Sequence, residues 1–183
     1  SSYVRDLSSS CSAVRLIGGS LFAGSHDGLL VSWDSSSGIE NWRISIAGPI
    51  SDISLDSDII YVTASDSLHA VDQEEGSLLW SKQLEGASDY VLAEDGIVWA
   101  TSSVYELEVA DFIEATIWKF DRSGNELERW VMAERPWHIA SDGSEGIILG
   151  LGRPRCGCVK VNSKAGLEHI QLPSNSPVTC GSV

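Results

Sequence analysis

Few residues in this chain have the types and spacing that chemistry needs. Cys156 and Cys158 stand two apart, which could bring two sulfurs to one metal ion. A zinc site also needs a second Cys or His pair at ligand spacing, and His138 and His169 are single and distant in sequence. The two cysteines therefore read as structural thiols, and no metal is expected. Asp56 and Asp58 alternate as a calcium loop begins, but the loop's other ligands and its glycine are missing, so they read as a turn. No Gly-x-Ser-x-Gly elbow is present, and the serines at 8–10 and 35–37 are turn composition, so no catalytic residue is expected. Binding chemistry is better represented. Tyr105 and Phe112 lie among Glu106, Glu108, Asp111 and Glu114, while Arg135, Trp137, Arg153 and Arg155 follow. Aromatic rings beside charges of both signs suit a patch that holds another protein or a peptide.

Those residues must be positioned by the elements around them, and a repeat identifies these elements. A phrase of apolar–x–apolar–Asp, a Gly-containing turn and a bulky ring recurs four times. It runs from Val31 through Asp34 and Gly38 to Trp42, from His69 through Asp72 and Gly76 to Trp80, and from Trp118 through Asp121 and Gly124 to Trp130. The last copy is worn, with Val159, Asn162, Gly166 and His169 in these places. A spacing of about 40 residues with strand-type patterning marks a β-propeller blade. The predicted fold is all-β: a β-propeller of four four-stranded antiparallel blades, alone or as part of a larger ring. Repeats are expected at 11–46, 50–84, 89–133 and 138–172, with helix content near zero. In each copy the Asp is placed to accept backbone N–H groups, the Gly to supply a positive φ, and the Trp to cover the seam to a neighbouring sheet.

The ends add two expectations. Aligning Tyr3 with Trp42 predicts an outermost strand at 3–7, and 177–183 resembles the start of a further inner strand. The ring then closes with four blades, through a second copy, or through the remainder of a longer chain. The third repeat exceeds its neighbours by about ten residues, and the excess falls in 104–114, which predicts a long binding loop.

The stretch from Leu68 to Trp80 resembles the quinoprotein-type repeat, the pyrroloquinoline-quinone-like propeller blade, and 58–66 resembles its second strand and turn. Residues 28–42 and 118–130 match less closely, and 159–169 loosely. The resemblance implies a propeller whose relatives include quinone-dependent dehydrogenases and scaffolds that bind no cofactor. The dehydrogenases combine a calcium site, a stacking Trp and a disulfide between directly adjacent cysteines. Gly157 separates Cys156 from Cys158, and no Asn/Glu/Asp calcium set stands at ligand spacing. None of their functional residues carries over, and no cofactor is expected.

Charge narrows the partners. The 26 acidic residues against 12 basic give a net charge of −14, so nucleic acid, which needs clustered Lys and Arg, is a poor partner. Residues 52–114 hold fifteen carboxylates and the single cation Lys82. This is a solvated acidic surface or a face for a basic partner. No apolar run reaches the roughly 18 residues of a membrane span. No basic-then-apolar leader opens the chain, which also lacks a starting Met, and a cytoplasmic location is the expectation. The expected function is a non-catalytic scaffold that binds a protein or peptide through its loop face. The alternative is a quinone- or metal-dependent oxidoreductase with its site in the central channel.

Overall fold

The structure is a computed structural model that describes residues 4–143, 145–152 and 156–172. Among the described residues sixteen strands form four antiparallel sheets, and there is no helix. Blade 1 contains β1 (Cys11–Ile17), β2 (Ser20–Ser25), β3 (Leu29–Asp34) and β4 (Glu40–Ser45). Blade 2 contains β5 (Ile50–Asp56), β6 (Ile59–Ala64), β7 (Ser67–Asp72) and β8 (Leu78–Gln83). Blade 3 contains β9 (Ala87–Glu94), β10 (Ile97–Glu106), β11 (Asp111–Asp121) and β12 (Glu126–Met132). Blade 4 contains β13 (Pro136–Ser141), β14 (Gly146–Leu151), β15 (Gly157–Asn162) and β16 (Gly166–Ile170). Each blade is a meander in which chain order and spatial order agree. The all-β propeller architecture read from the repeat is the architecture observed.

Burial explains the patterning. Every residue of β6 is buried, because both faces of a middle strand meet a neighbouring sheet. Outer strands such as β8 are largely exposed. Phe22, Leu30 and Ile46 of blade 1 pack on Ile53, Ile60 and Val71 of blade 2. Tyr61, Leu68 and Ala70 of blade 2 meet Val98, Trp118 and Phe120 of blade 3. Trp99, Ile117 and Met132 of blade 3 meet Ile147, Leu149 and Val159 of blade 4. Each fully buried side chain of this size contributes about 1.5–3 kcal/mol, so the three seams carry most of the driving force.

The Asp or Asn of the repeated phrase performs the same task in each blade. Asp34 Oδ1 accepts the N–H groups of Ser36 and Ser37, and Asp72 Oδ1 those of Glu74 and Glu75. Asp121 Oδ1 accepts those of Ser123 and Asn125, and Asn162 Oδ1 those of Lys164 and Ala165. The Trp then reaches forward. Trp42 lies on Gly76 of the next blade, where an added Cβ would come within 2.5 Å of the indole, and its Nε1 donates to Gln73 O at 2.8 Å. Trp80 lies likewise on Gly124 and donates to Arg122 O at 3.1 Å. Trp130 instead stacks on Trp99 of its own blade, with ring centroids 5.7 Å apart. His169, in the Trp position of blade 4, is exposed on β16.

Inner strands β1, β5, β9 and β13 lie side by side in that order. Each shows a register shift in its pairing near its start, around Ser12, Ser51, Asp89–Tyr90 and Trp137. Such bulges bend a strand and re-aim one side chain. Along the β5–β9 seam, Asp52, Ser54 and Asp56 accept the N–H groups of Val91, Ala93 and Gly96 at 3.1, 3.0 and 2.7 Å. The predicted outermost strand at 3–7 is not seen in its described part, since residues 4–7 have no strand pairing. Arg5 Nε nevertheless donates to Gly38 O at 2.7 Å, which ties this segment to the turn of blade 1. Tyr3 and residues 177–183 lie outside the described residues.

Candidate functional site

The turns joining second to third strands and the joints between blades gather on one face. Ser65 N donates to Pro49 O at 2.9 Å, Leu84 N to Asp66 O at 2.7 Å, and Ser88 N to Ser65 O at 2.7 Å. On this face the segment 104–114 is a ribbon rather than the loop predicted. Tyr105 pairs with Phe112 and Glu106 with Asp111, so β10 and β11 continue past the sheet to a turn at 107–110. The pairing persists because Val104, Tyr105, Phe112 and Ile113 are all β-prone. Ala110 closes the turn at φ +55°. The ribbon outlasts its neighbours: β9 ends opposite Ser103, and β12 ends opposite Ala115.

Its base is built around a buried carboxylate. Asp89 sits at the bulge of β9 with its side chain 5% exposed. It accepts the Ser103 hydroxyl at 2.6 Å and is ion-paired with Arg135, whose Nε also reaches it at 3.3 Å. The Arg135 guanidinium lies 3.8 Å over the Phe112 ring, and Phe112 meets Tyr105 edge-on at 5.2 Å. A guanidinium held flat between a carboxylate and a ring is a rigid support. Tyr105, Phe112 and Arg135 are thus one cluster. Trp137 stands apart from it at the bulge of β13, half exposed, with its indole against the backbone of Gly152. The hydroxyl of Tyr90, the residue after Asp89, donates to Trp137 O at 2.8 Å.

Glu106 and Glu108 lie at the ribbon's free end. None of Glu106, Glu108, Asp111 and Glu114 makes an ion pair among the described residues. Of the cations in the two-signed site expected from sequence, Arg135 already has its charge taken by Asp89. Arg153 and Arg155 lie outside the described residues. Asp89 and Ser103 were not singled out from sequence. The signal for Asp89 was its bulge position, equivalent to that of Trp137, which only the strand register exposes.

In the channel, Arg15, Asp52, Tyr90 and His138 border a cavity of about 370 Å³. Burial pushes the Asp52 carboxyl above its usual range, although Arg15 and the N–H groups of Val91 and Ile53 oppose this. Both oxygens of Asp52 are engaged, one by Arg15 and Ile53 N, the other by Val91 N. Among the described residues no group of three or more His, Cys, Asp and Glu side chains is placed to hold a metal ion. Cys156 is buried in a left-handed conformation (φ +49°) just ahead of β15, so it shares no strand face with the half-buried Cys158, and neither forms a disulfide.

A family model described as outer membrane protein assembly factor BamB matches residues 5–127 and, in a second overlapping alignment, 42–152. The chain belongs to this family of PQQ-like propeller repeats. Among solved structures, BamB from Moraxella catarrhalis superimposes with a TM-score of 0.67 at 15% identity, over 90% of this chain and 46% of BamB. The chain thus spans about half the length of that BamB. The computationally designed Ika4 protein superimposes with a TM-score of 0.72 at 14% identity, over 92% of this chain and 96% of Ika4. At these identities the likeness shows the propeller fold alone. No curated protein matches the chain.

Proposed function

We propose that this PQQ-like propeller is a non-catalytic scaffold that binds a protein or peptide through its loop face, around Tyr105, Glu106, Glu108, Phe112, Arg135, Trp137, Arg153 and Arg155. The observation that carries the reading is the ribbon itself. It stands clear of its sheet on a fixed base and exposes Leu107, Val109, Ile113 and Tyr105. Exposed apolar side chains grouped on one projection mark an interaction surface. The family's description as an assembly factor for outer membrane proteins suits a molecule that works through protein contacts. The alternative is a quinone- or metal-dependent oxidoreductase working in the channel. The engagement of both Asp52 oxygens by Arg15 and backbone groups supports the scaffold reading instead, because it gives that carboxylate a structural task.

Site-specific photocrosslinking in the native host tests the reading. A photoreactive residue at Tyr105 or Trp137 should capture a defined protein, whereas one at Ser57 or Asp95, in turns of the opposite ends of the inner hairpins, should not. Capture from Ser57 and Asp95 alone would place the partner elsewhere.

A further inference from the structure

Resting on the loop-face reading, the geometry of the ribbon points to a specific mode of contact. We infer that the free edge of β11, from Asp111 to Glu114, receives an extended basic segment of the partner as an added β-strand.

Three observations carry this. First, β12 stops at Met132 opposite Ala115, so the four residues before Ala115 have no strand on that side. An edge of backbone N–H and C=O groups is a template for another strand. The β10 edge is less open, because the joint at Gly86 closes against Ser103 and Val104; a Cβ on Gly86 would lie 2.3 Å from Ser103 O. Second, the edge lacks the two residue types that most often guard one. The ribbon contains no Pro and no Lys, and it leaves Leu107, Val109 and Ile113 exposed at 84, 61 and 46%. Its local guards are the register shift at Ile113, which an incoming strand must follow, and Asp111, whose Oδ1 accepts the Phe112 N–H at 2.8 Å and would give way to an incoming carbonyl. Third, charge selects the occupant. Glu106, Glu108, Asp111 and Glu114 would repel the same ribbon of a second copy and attract Lys or Arg side chains on an incoming strand. The base fixed by Asp89, Arg135 and Phe112 holds this edge in place before binding, so little ordering is left to lose.

The test uses a capped decapeptide alternating Val and Lys, with a ¹³C carbonyl at a central Val. It should bind the wild-type chain in calorimetry, and its labelled amide band should move to the strand position in infrared spectra. Methylating alternate backbone nitrogens of the peptide removes its donors and leaves the protein untouched; binding should fall at least ~tenfold. Ile113→Pro, checked for an unchanged far-ultraviolet spectrum, should fall comparably. A Val/Glu decapeptide should not bind. The inference is overturned if the parent peptide fails to bind, if the methylated peptide binds as its parent does, or if oligolysine binds equally well with no strand band. Photocrosslinks from Tyr105 that survive such a result would leave the loop-face reading standing without strand addition. Loss of the crosslinks would remove the reading beneath it.

Discussion

The turn between β6 and β7 and the ribbon between β10 and β11 occupy the same place in two successive blades, yet they do opposite things. In blade 2 the chain reverses at Ser65 and Asp66, and nearly every polar group there is tied to the scaffold. Ser65 O accepts both the N–H and the hydroxyl of Ser88, and Asp66 accepts the Ser67 hydroxyl and the Gln83 amide. In blade 3 the strands run on, and what they add is held only at its base by Asp89, Arg135 and Phe112. A propeller can thus lengthen one turn without disturbing the seams, because those lie below it. Stability and the proposed recognition are housed in different parts of one repeat.

The largest separation of the two should come from the seams. Trp80→Ala strips the indole from Gly124 and should cost about 3 kcal/mol in urea unfolding. It should leave peptide binding by the folded fraction unchanged. Next in size is Arg135→Ala, which leaves the buried Asp89 without its cation and should cost about 1–3 kcal/mol. This is the one change expected to move both quantities, because the base belongs to scaffold and ribbon alike; a stability loss with full binding would show that the base does not position the edge. Joining Ser103 to Ala115 through a Ser-Asp pair, as in blade 2, should alter stability by under about 1 kcal/mol yet abolish crosslinking. A large stability loss there would mean that the ribbon is part of the core after all.

A smaller effect concerns the turn Asp of the repeated phrase. The Ser36 hydroxyl, then the N–H and hydroxyl of Ser37, hold the Asp34 carboxyl down at about 2, below its ordinary 3.8. A carboxyl depressed in the folded state stabilises it fully above about pH 4, and this stabilisation is lost as pH falls toward 2. Asp34→Asn should keep the turn, as Asn162 does in blade 4, and flatten the fall of Tm between about pH 4 and 2. An unchanged acid limb would show that other carboxylates set it.

The architecture was legible because its signals are local. Asp72, Gly76 and Trp80 each obey a short-range rule, and a repeat of about 40 residues multiplies that rule four times. The position of the candidate site was legible for a similar reason, since the excess of the third repeat sits at 104–114. The rest depends on register, which sequence does not display. The insertion extends two paired strands because Tyr105 meets Phe112 across the ribbon. Whether Arg135 offers its charge or spends it depends on a bulge that buries Asp89 beside it.

The forward reach of Trp42 and Trp80 gives the molecule a direction. Trp42 rests on the turn of blade 2 and Trp80 on that of blade 3, and Trp99, Ile117 and Met132 of blade 3 meet blade 4, so the blades offer landing surfaces in chain order. Growth from the ribosome proceeds in the same order, and contacts run between neighbours in sequence. Every emerging blade can therefore dock on one already folded, and apolar faces wait in the open only for the time needed to make a single repeat.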